Sequence, residues 1–283
     1  MSKKVPFKMY RYHLVPIKSE QLSIFGNELT LDELKIQKNE LFERILVGSQ
    51  SLKARSSQLP IEINYNQDNI YILKLGVDRK TTLYKDFKKV DVENQPFTYI
   101  IINNNSEIQK ILIEDNKIAF YDTSAVRNIL EVAFSAQLYQ FSLTIHIEPV
   151  VDKGEFWDYI KKYEKNIERL DFEIVKPNLA NISKSLTAPL KQLVDITNSH
   201  KTTIKLKAPE NGVLEKINPE NKQLNSLVEY TNEGGGDGIK MKIKGVKKTV
   251  STKNMIKETY IESIEFETLH QQKLLDTWEK LFE

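Results

Sequence analysis

The sequence predicts an α+β fold, with mixed and antiparallel sheets and flanking helices, in two domains spanning residues 1–150 and 151–283. Three observations carry that prediction. Several short runs alternate apolar and polar residues with period two, the signature of half-buried strands. Between them lie segments whose apolar residues recur every three or four positions, the signature of helices packed on one face. Near the end, two lysine-studded strands bracket a helix in "KTTIKLK … NPENKQLNSLVEYT … GIKMKIK", a β-α-β unit with one basic sheet face.

In chain order, "KMYRYHLV" reads as a strand. "TLDELKIQKNELFERIL" reads as a helix with a capping box, Thr30 with Glu33, and Leu34, Leu41, Phe42 and Ile45 on one face. From Pro60 to Tyr121, "NIYILKLGV", "PFTYIIIN", "IQKILIED" and "KIAFYD" form an antiparallel meander parted by Asn/Asp-rich turns. "DTSAVRNILEVAFSAQL" is a second helix, capped by Asp122 or Thr123, and "QFSLTIHIEPV" a strand closing the first domain. Beyond it come a short helix in "GEFWDYIKKYEKNI", a strand in "RLDFEIVKP", and a helix around residues 183–197 that Pro189 must start or kink. Residues 269–283 place Leu274, Leu275, Trp278, Leu281 and Phe282 on one helical face, which needs a partner surface, either its own domain or a second subunit in a homodimer.

Composition narrows function. The chain has 283 residues, no cysteine, and 41 basic against 39 acidic side chains. Disulfides, thiolate metal sites and cysteine nucleophiles are excluded, and a reducing, cytoplasmic setting is expected. Neither a signal peptide nor a transmembrane helix is expected. With a net charge of only +2, attraction to a polyanion must come from uneven charge distribution.

The glycine-rich "EGGGDG" sits after a helix and before a strand, the reverse of a phosphate-cradling loop, and is expected to be a helix stop and turn. Asn218 is the expected cap of that preceding helix, with Pro219 at its first position. A β-α-β crossover makes its strands parallel and lays the helix on one face. Ile204, Leu206, Ile239, Met241 and Ile243 then meet the helix, and Lys205, Lys207, Lys240, Lys242 and Lys244 lie opposite, joined by Lys247 and Lys248. Eleven lysines and six acids fall between Lys201 and Lys253, so positive charge is concentrated there. Lysines on an outer strand face also simply keep sheets soluble. Like charges on neighbouring strands repel, however, and a nucleic-acid backbone would relieve them. No aromatic is interleaved, which favours backbone contacts on double-stranded DNA over base stacking.

Signals for chemistry are sparse. The four histidines have no metal-ligand spacing, and His146 has Glu148 on the same strand face, a pair that could orient a base but has no nucleophile or metal partner suggested nearby. "EDNK" (Glu114, Asp115, Lys117) and "DFEIVK" (Asp171, Glu173, Lys176) weakly echo a metal-dependent nuclease. No catalytic residue, metal or cofactor is assigned.

"SLTIHIEPVVDKGEFWDYI", followed by "RLDFEIVKPNL" and a basic C-terminal part, resembles the Rex exclusion protein A family of lambdoid phages and related prophage and bacterial defence proteins. The resemblance implies a DNA-binding, dimeric sensor of phage infection acting through an effector partner. The leading expectation is therefore a non-enzymatic, sequence-nonspecific DNA-binding protein. The alternatives are a metal-dependent nuclease and a protein-interaction subunit of a defence complex.

Overall fold

The computed structural model describes residues 4–17, 30–54, 57–176, 185–197, 199–262 and 281–282. The fold is α+β, as predicted. Chain order is β1 (Lys4–Pro16), α1 (Leu31–Gly48), β2 (Ser51–Ala54), β3 (Ser57–Gln67), β4 (Ile70–Gly76), β5 (Arg79–Lys85), β6 (Lys88–Asn94), β7 (Phe97–Asn103), β8 (Lys110–Glu114) and α2 (Thr123–Leu138). There follow β9 (Leu143–Pro149), α3 (Lys153–Tyr163), β10 (Ile167–Val175), α4 (Ala188–Ile196), β11 (Lys201–Lys207), α5 (Lys222–Tyr230), β12 (Gly236–Ile243), β13 (Val250–Ser251) and β14 (Glu258–Glu262). The chain packs as two units, one of 1–8, 16–145 and 259–283, the other of 9–15 and 146–258.

In the first unit, β2, β3, β4, β7 and β8 are joined edge to edge, each neighbouring pair antiparallel. Ile72, Leu73, Ile100, Ile101, Ile102, Ile111, Leu112 and Ile113 are all buried, so its central strands are apolar on both faces. The capping box of α1 is present, with the Glu33 amide donating to Thr30 Oγ1 and the Thr30 amide to Glu33 Oε2. Phe42 of α1 meets Phe134 of α2 edge to face at 5.3 Å. Asp122, not Thr123, caps α2. "KIAFYD" is a turn where a strand was expected: the amides of Ala119 and Phe120 both reach the Asn116 carbonyl, which curls the chain. β5 and β6 pair only with each other and form a separate two-stranded ribbon.

In the second unit, the sheet order is β11-β10-β12-β13 with every neighbour antiparallel. Strands β11 and β12 are thus parallel to one another, as the crossover requires, but β10 lies between them. Leu170, Phe172, Ile239 and Met241 form one buried face with Phe156 and Ile160 of α3 and Leu224 and Val228 of α5. Burying each such side chain contributes about 1.5–3 kcal/mol, so this face fixes the sheet. Helix α5 starts later than expected. Asn221, not Asn218, is its cap, accepting from the Leu224 amide, while Asn218 holds the preceding turn through the Asn221 amide. Helix α4 begins at Ala188 with Pro189 in its first turn, where the missing N–H costs nothing. The expected terminal helix lies outside the described residues, apart from 281–282.

The glycine stretch does end a helix and begin a strand, as one wide turn over Thr231–Gly235 leading into β12. Gly234 has φ +84°, and a Cβ there would stand 2.5 Å from Arg11 Cβ. Gly236 lies so close to β10 that a Cβ would sit 1.9 Å from the Glu173 carbonyl oxygen. The glycines therefore let two backbone segments approach closely, and the carbonyls they expose are taken up from inside the unit. Arg11 Nε donates to the Glu233 carbonyl at 2.6 Å and His13 Nε2 to the Gly234 carbonyl at 2.6 Å. Both side chains are buried, and they cap the negative end of the helix with donors.

Candidate nucleic-acid interface

Strand pleating puts alternate residues of β10, β11 and β12 on the face opposite the packed helices. From β11 these are Lys201, Thr203, Lys205 and Lys207; from β10, Arg169, Asp171 and Glu173; from β12, Lys240 and Lys242. Of the predicted residues, Lys205 and Lys207 are exposed and Lys240 and Lys242 half-buried on this one face. Lys244 follows the end of β12, its ammonium 3.4 Å from the Asn211 carbonyl oxygen. Lys247 and Lys248 are exposed in the turn beyond it. Lys242 braces that turn, with Nζ donating to the Val246 carbonyl at 2.7 Å.

The insertion of β10 alters the expected electrostatics. The lysine strands are not neighbours, and the strand between them carries both signs. Asp171 is opposite Lys205 on one side and Lys240 on the other, a row of cation, anion, cation. One step along, Arg169 is opposite Lys207 on one side and Lys242 on the other, a row of three cations. Repulsion between lysine strands is thus relieved at Asp171 and concentrated at Arg169. Arg169 Nε leans 3.2 Å from Asp171 Oδ2, which offsets part of it.

The other end of the face is compensated. Glu173 lies 3.3 Å from Lys201 and 3.6 Å from Lys240, and buried Glu148 lies 3.6 Å from Lys201. Burial opposes the Lys201 charge, but Glu148, Glu173 and the more distant Asp237 outweigh it and hold its pKa above the ordinary lysine value. The net positive potential therefore lies at the Arg169 end, continued by Lys244, Lys247 and Lys248.

Arg169 was not singled out from sequence, although the alternation in "RLDFE" places it in phase with Asp171 and Glu173; the pairing order that flanks it with lysines has no local signature. The two nuclease-like clusters do not assemble. Lys176 turns to Asp195 at 3.7 Å, and Glu173 is engaged by Lys201 and Lys240. In "EDNK", Glu114 Oε2 accepts from the Tyr99 amide and Asp115 pairs with Lys117 at 2.7 Å. Among the described residues no three His, Asp or Glu side chains are grouped to hold a metal ion. His146 meets the His200 ring at 6.2 Å, edge to face. Partial burial, then the neighbouring His146 and Lys176, depress the His200 pKa below the ordinary value. No described helix is long and apolar enough to cross a membrane. No family model and no curated protein matches the chain.

Proposed function

We propose that the chain binds double-stranded DNA through its phosphate backbone, without reading sequence, using the β10–β12 face of the second unit. The row Lys207–Arg169–Lys242 is the observation that carries this reading. Three aligned cations on adjacent strands repel, Asp171 offsets only part of this, and a polyanion would neutralise the rest while releasing its counterions. Lys205, Lys240, Lys244, Lys247 and Lys248 extend the contact. Among the described residues no aromatic stands on the face to stack an unpaired base, which favours a duplex over a single strand. A role as a sensor of phage infection, signalling to an effector partner, rests on the resemblance of residues 142–160 and 169–179 to the Rex exclusion protein A family.

The test is anisotropy of a short labelled duplex across a salt series, comparing wild type with a Lys207→Gln, Arg169→Gln, Lys242→Gln variant. Binding to unrelated sequences alike is expected, and the log–log salt slope falls by about 0.9 for each phosphate the variant no longer neutralises. An unchanged slope, or no binding at low salt, would reject the reading.

A further inference from the structure

We propose that the β5–β6 ribbon is a DNA-engaging arm whose tip residue, Phe87, wedges between stacked base pairs, an inference that rests on the duplex-binding reading above. A lone two-stranded hairpin is at best marginally stable in water, yet every residue of these two strands is exposed. Its base is fastened. Arg79 donates to the Ile118 and Ala119 carbonyls at 2.8 and 2.7 Å, Gln95 to Asp78 at 2.7 Å, and the Val77 amide to the Pro96 carbonyl. The ribbon is thus anchored at its root and bare beyond it.

Its two faces differ. Register pairs Leu83 with Val90 and Thr81 with Val92, giving one apolar face with no covering element among the described residues; Tyr84, Lys89, Thr82 and Asp91 lie on the other. The turn residues Asp86 and Phe87 have φ of 50° and 62°, the left-handed pair that two-residue hairpins ordinarily fill with Asn-Gly or Asp-Gly. Phe87 therefore holds an aromatic ring, fully exposed, at a position where glycine would be favoured. Around it the charge is arranged for an anion. Lys85 and Lys88 face each other on the apolar side, and Lys89 projects from the opposite side beneath the ring of Tyr84. Asp86 beside Phe87 is outnumbered by these three lysines, and the acids Asp91 and Glu93 are set back toward the root.

Cations on both faces of a projecting ribbon match a groove, which offers a phosphate strand on either flank, and β-ribbon proteins lay their strands in the major or the minor groove, the minor groove being the side from which wedges enter. Apolar side chains such as Phe enter between base steps in proteins that kink DNA, where bending the duplex brings more protein surface into contact. An anionic bilayer would also attract lysines beside a Phe, and Asp86 opposes either partner, but cations on both faces of the ribbon suit the two phosphate flanks of a groove better than a single flat surface.

The experiment binds the full chain to a duplex of about 25 base pairs carrying 2-aminopurine, whose fluorescence rises when its stacking is broken. Anisotropy is read in parallel. Wild type should raise the fluorescence on binding. Phe87→Gly relaxes the turn, so its melting temperature should not fall; it should still bind the duplex but give no fluorescence rise. Lys85→Gln with Lys88→Gln should flatten the salt slope by about 0.9 for each phosphate left unneutralised. A bound wild type with silent fluorescence, or a Phe87→Gly variant that unstacks equally, overturns the wedge and leaves duplex binding standing. No binding of any duplex at low salt overturns both. Phe87-dependent capture by phosphatidylglycerol vesicles in place of the duplex overturns the arm as a nucleic-acid element.

Discussion

The Nε2 of His13 meets the carbonyl oxygen of Gly234 at 2.6 Å, across 221 positions of sequence. Since a carbonyl only accepts, His13 must hold its proton on Nε2, and the bond completes the end of the wide turn after α5. The side chain is wholly buried, so its loss strands a polar group. His13→Ala should cost about 1–3 kcal/mol in urea unfolding. A change of under about 0.5 kcal/mol, the range typical of surface positions, would show that the turn holds without it.

Close approach at Gly236 makes a sharper claim. A Cβ 1.9 Å from the Glu173 carbonyl oxygen cannot be absorbed by a flexible side chain, because the obstacle is backbone. Gly236→Ala should therefore fail to give a folded second unit, whereas Gly245→Ala, with φ +79° but open space around its Cβ, should cost only about 1 kcal/mol. Thermal melts of the two variants, side by side, decide it.

Asp171 sits between Lys205 and Lys240 and draws Arg169 toward itself. Asp171→Asn should free Arg169 for a phosphate, tighten duplex binding and steepen the salt slope by about 0.9. Weaker or unchanged binding would show that Asp171 does not hold Arg169 back, and loss of a magnesium-dependent cleavage activity in this variant would favour a catalytic carboxylate.

His200 gives a pH dependence. Its pKa is depressed in the folded protein by burial and by the nearby His146 and Lys176. As pH falls below about 6.5, the ordinary histidine value, the unfolded chain takes up this proton first, so stability is lost. Urea midpoints of wild type should fall between pH 7 and 5 more than those of His200→Gln. Parallel curves would mean that His200 is not the titrating group.

The strand and helix alternation made the second unit's face legible: the phase of Ile204, Leu206, Ile239 and Met241 sends the lysines to the other side, and the observed sheet has that phase. What local pattern does not carry is which strand lies beside which. The antiparallel insertion of β10 is set by long-range packing of Leu170 and Phe172, so Arg169 and Asp171 entered the face unannounced. The β5–β6 ribbon escaped notice for the opposite reason: its turn is Asp86-Phe87 in place of an Asn-Gly or Asp-Gly signal, and its strands bury nothing. In "KIAFYD" the apolar run looked like a strand, but Asn116 closes a turn there before any pairing forms.

The pairing of Arg11 and His13 with the turn at Glu233–Gly234 also has a consequence for synthesis. A ribosome adds about 5–20 residues per second, so the segment holding Arg11 is made roughly 10–45 s before its partner carbonyls exist. The second unit cannot complete itself while it is being translated. Through that interval the arginine and histidine must remain hydrated, and the strand that carries them, with Phe7, Tyr10, Tyr12 and Leu14 along it, is open to capture by chaperones or by the nascent strand of another copy.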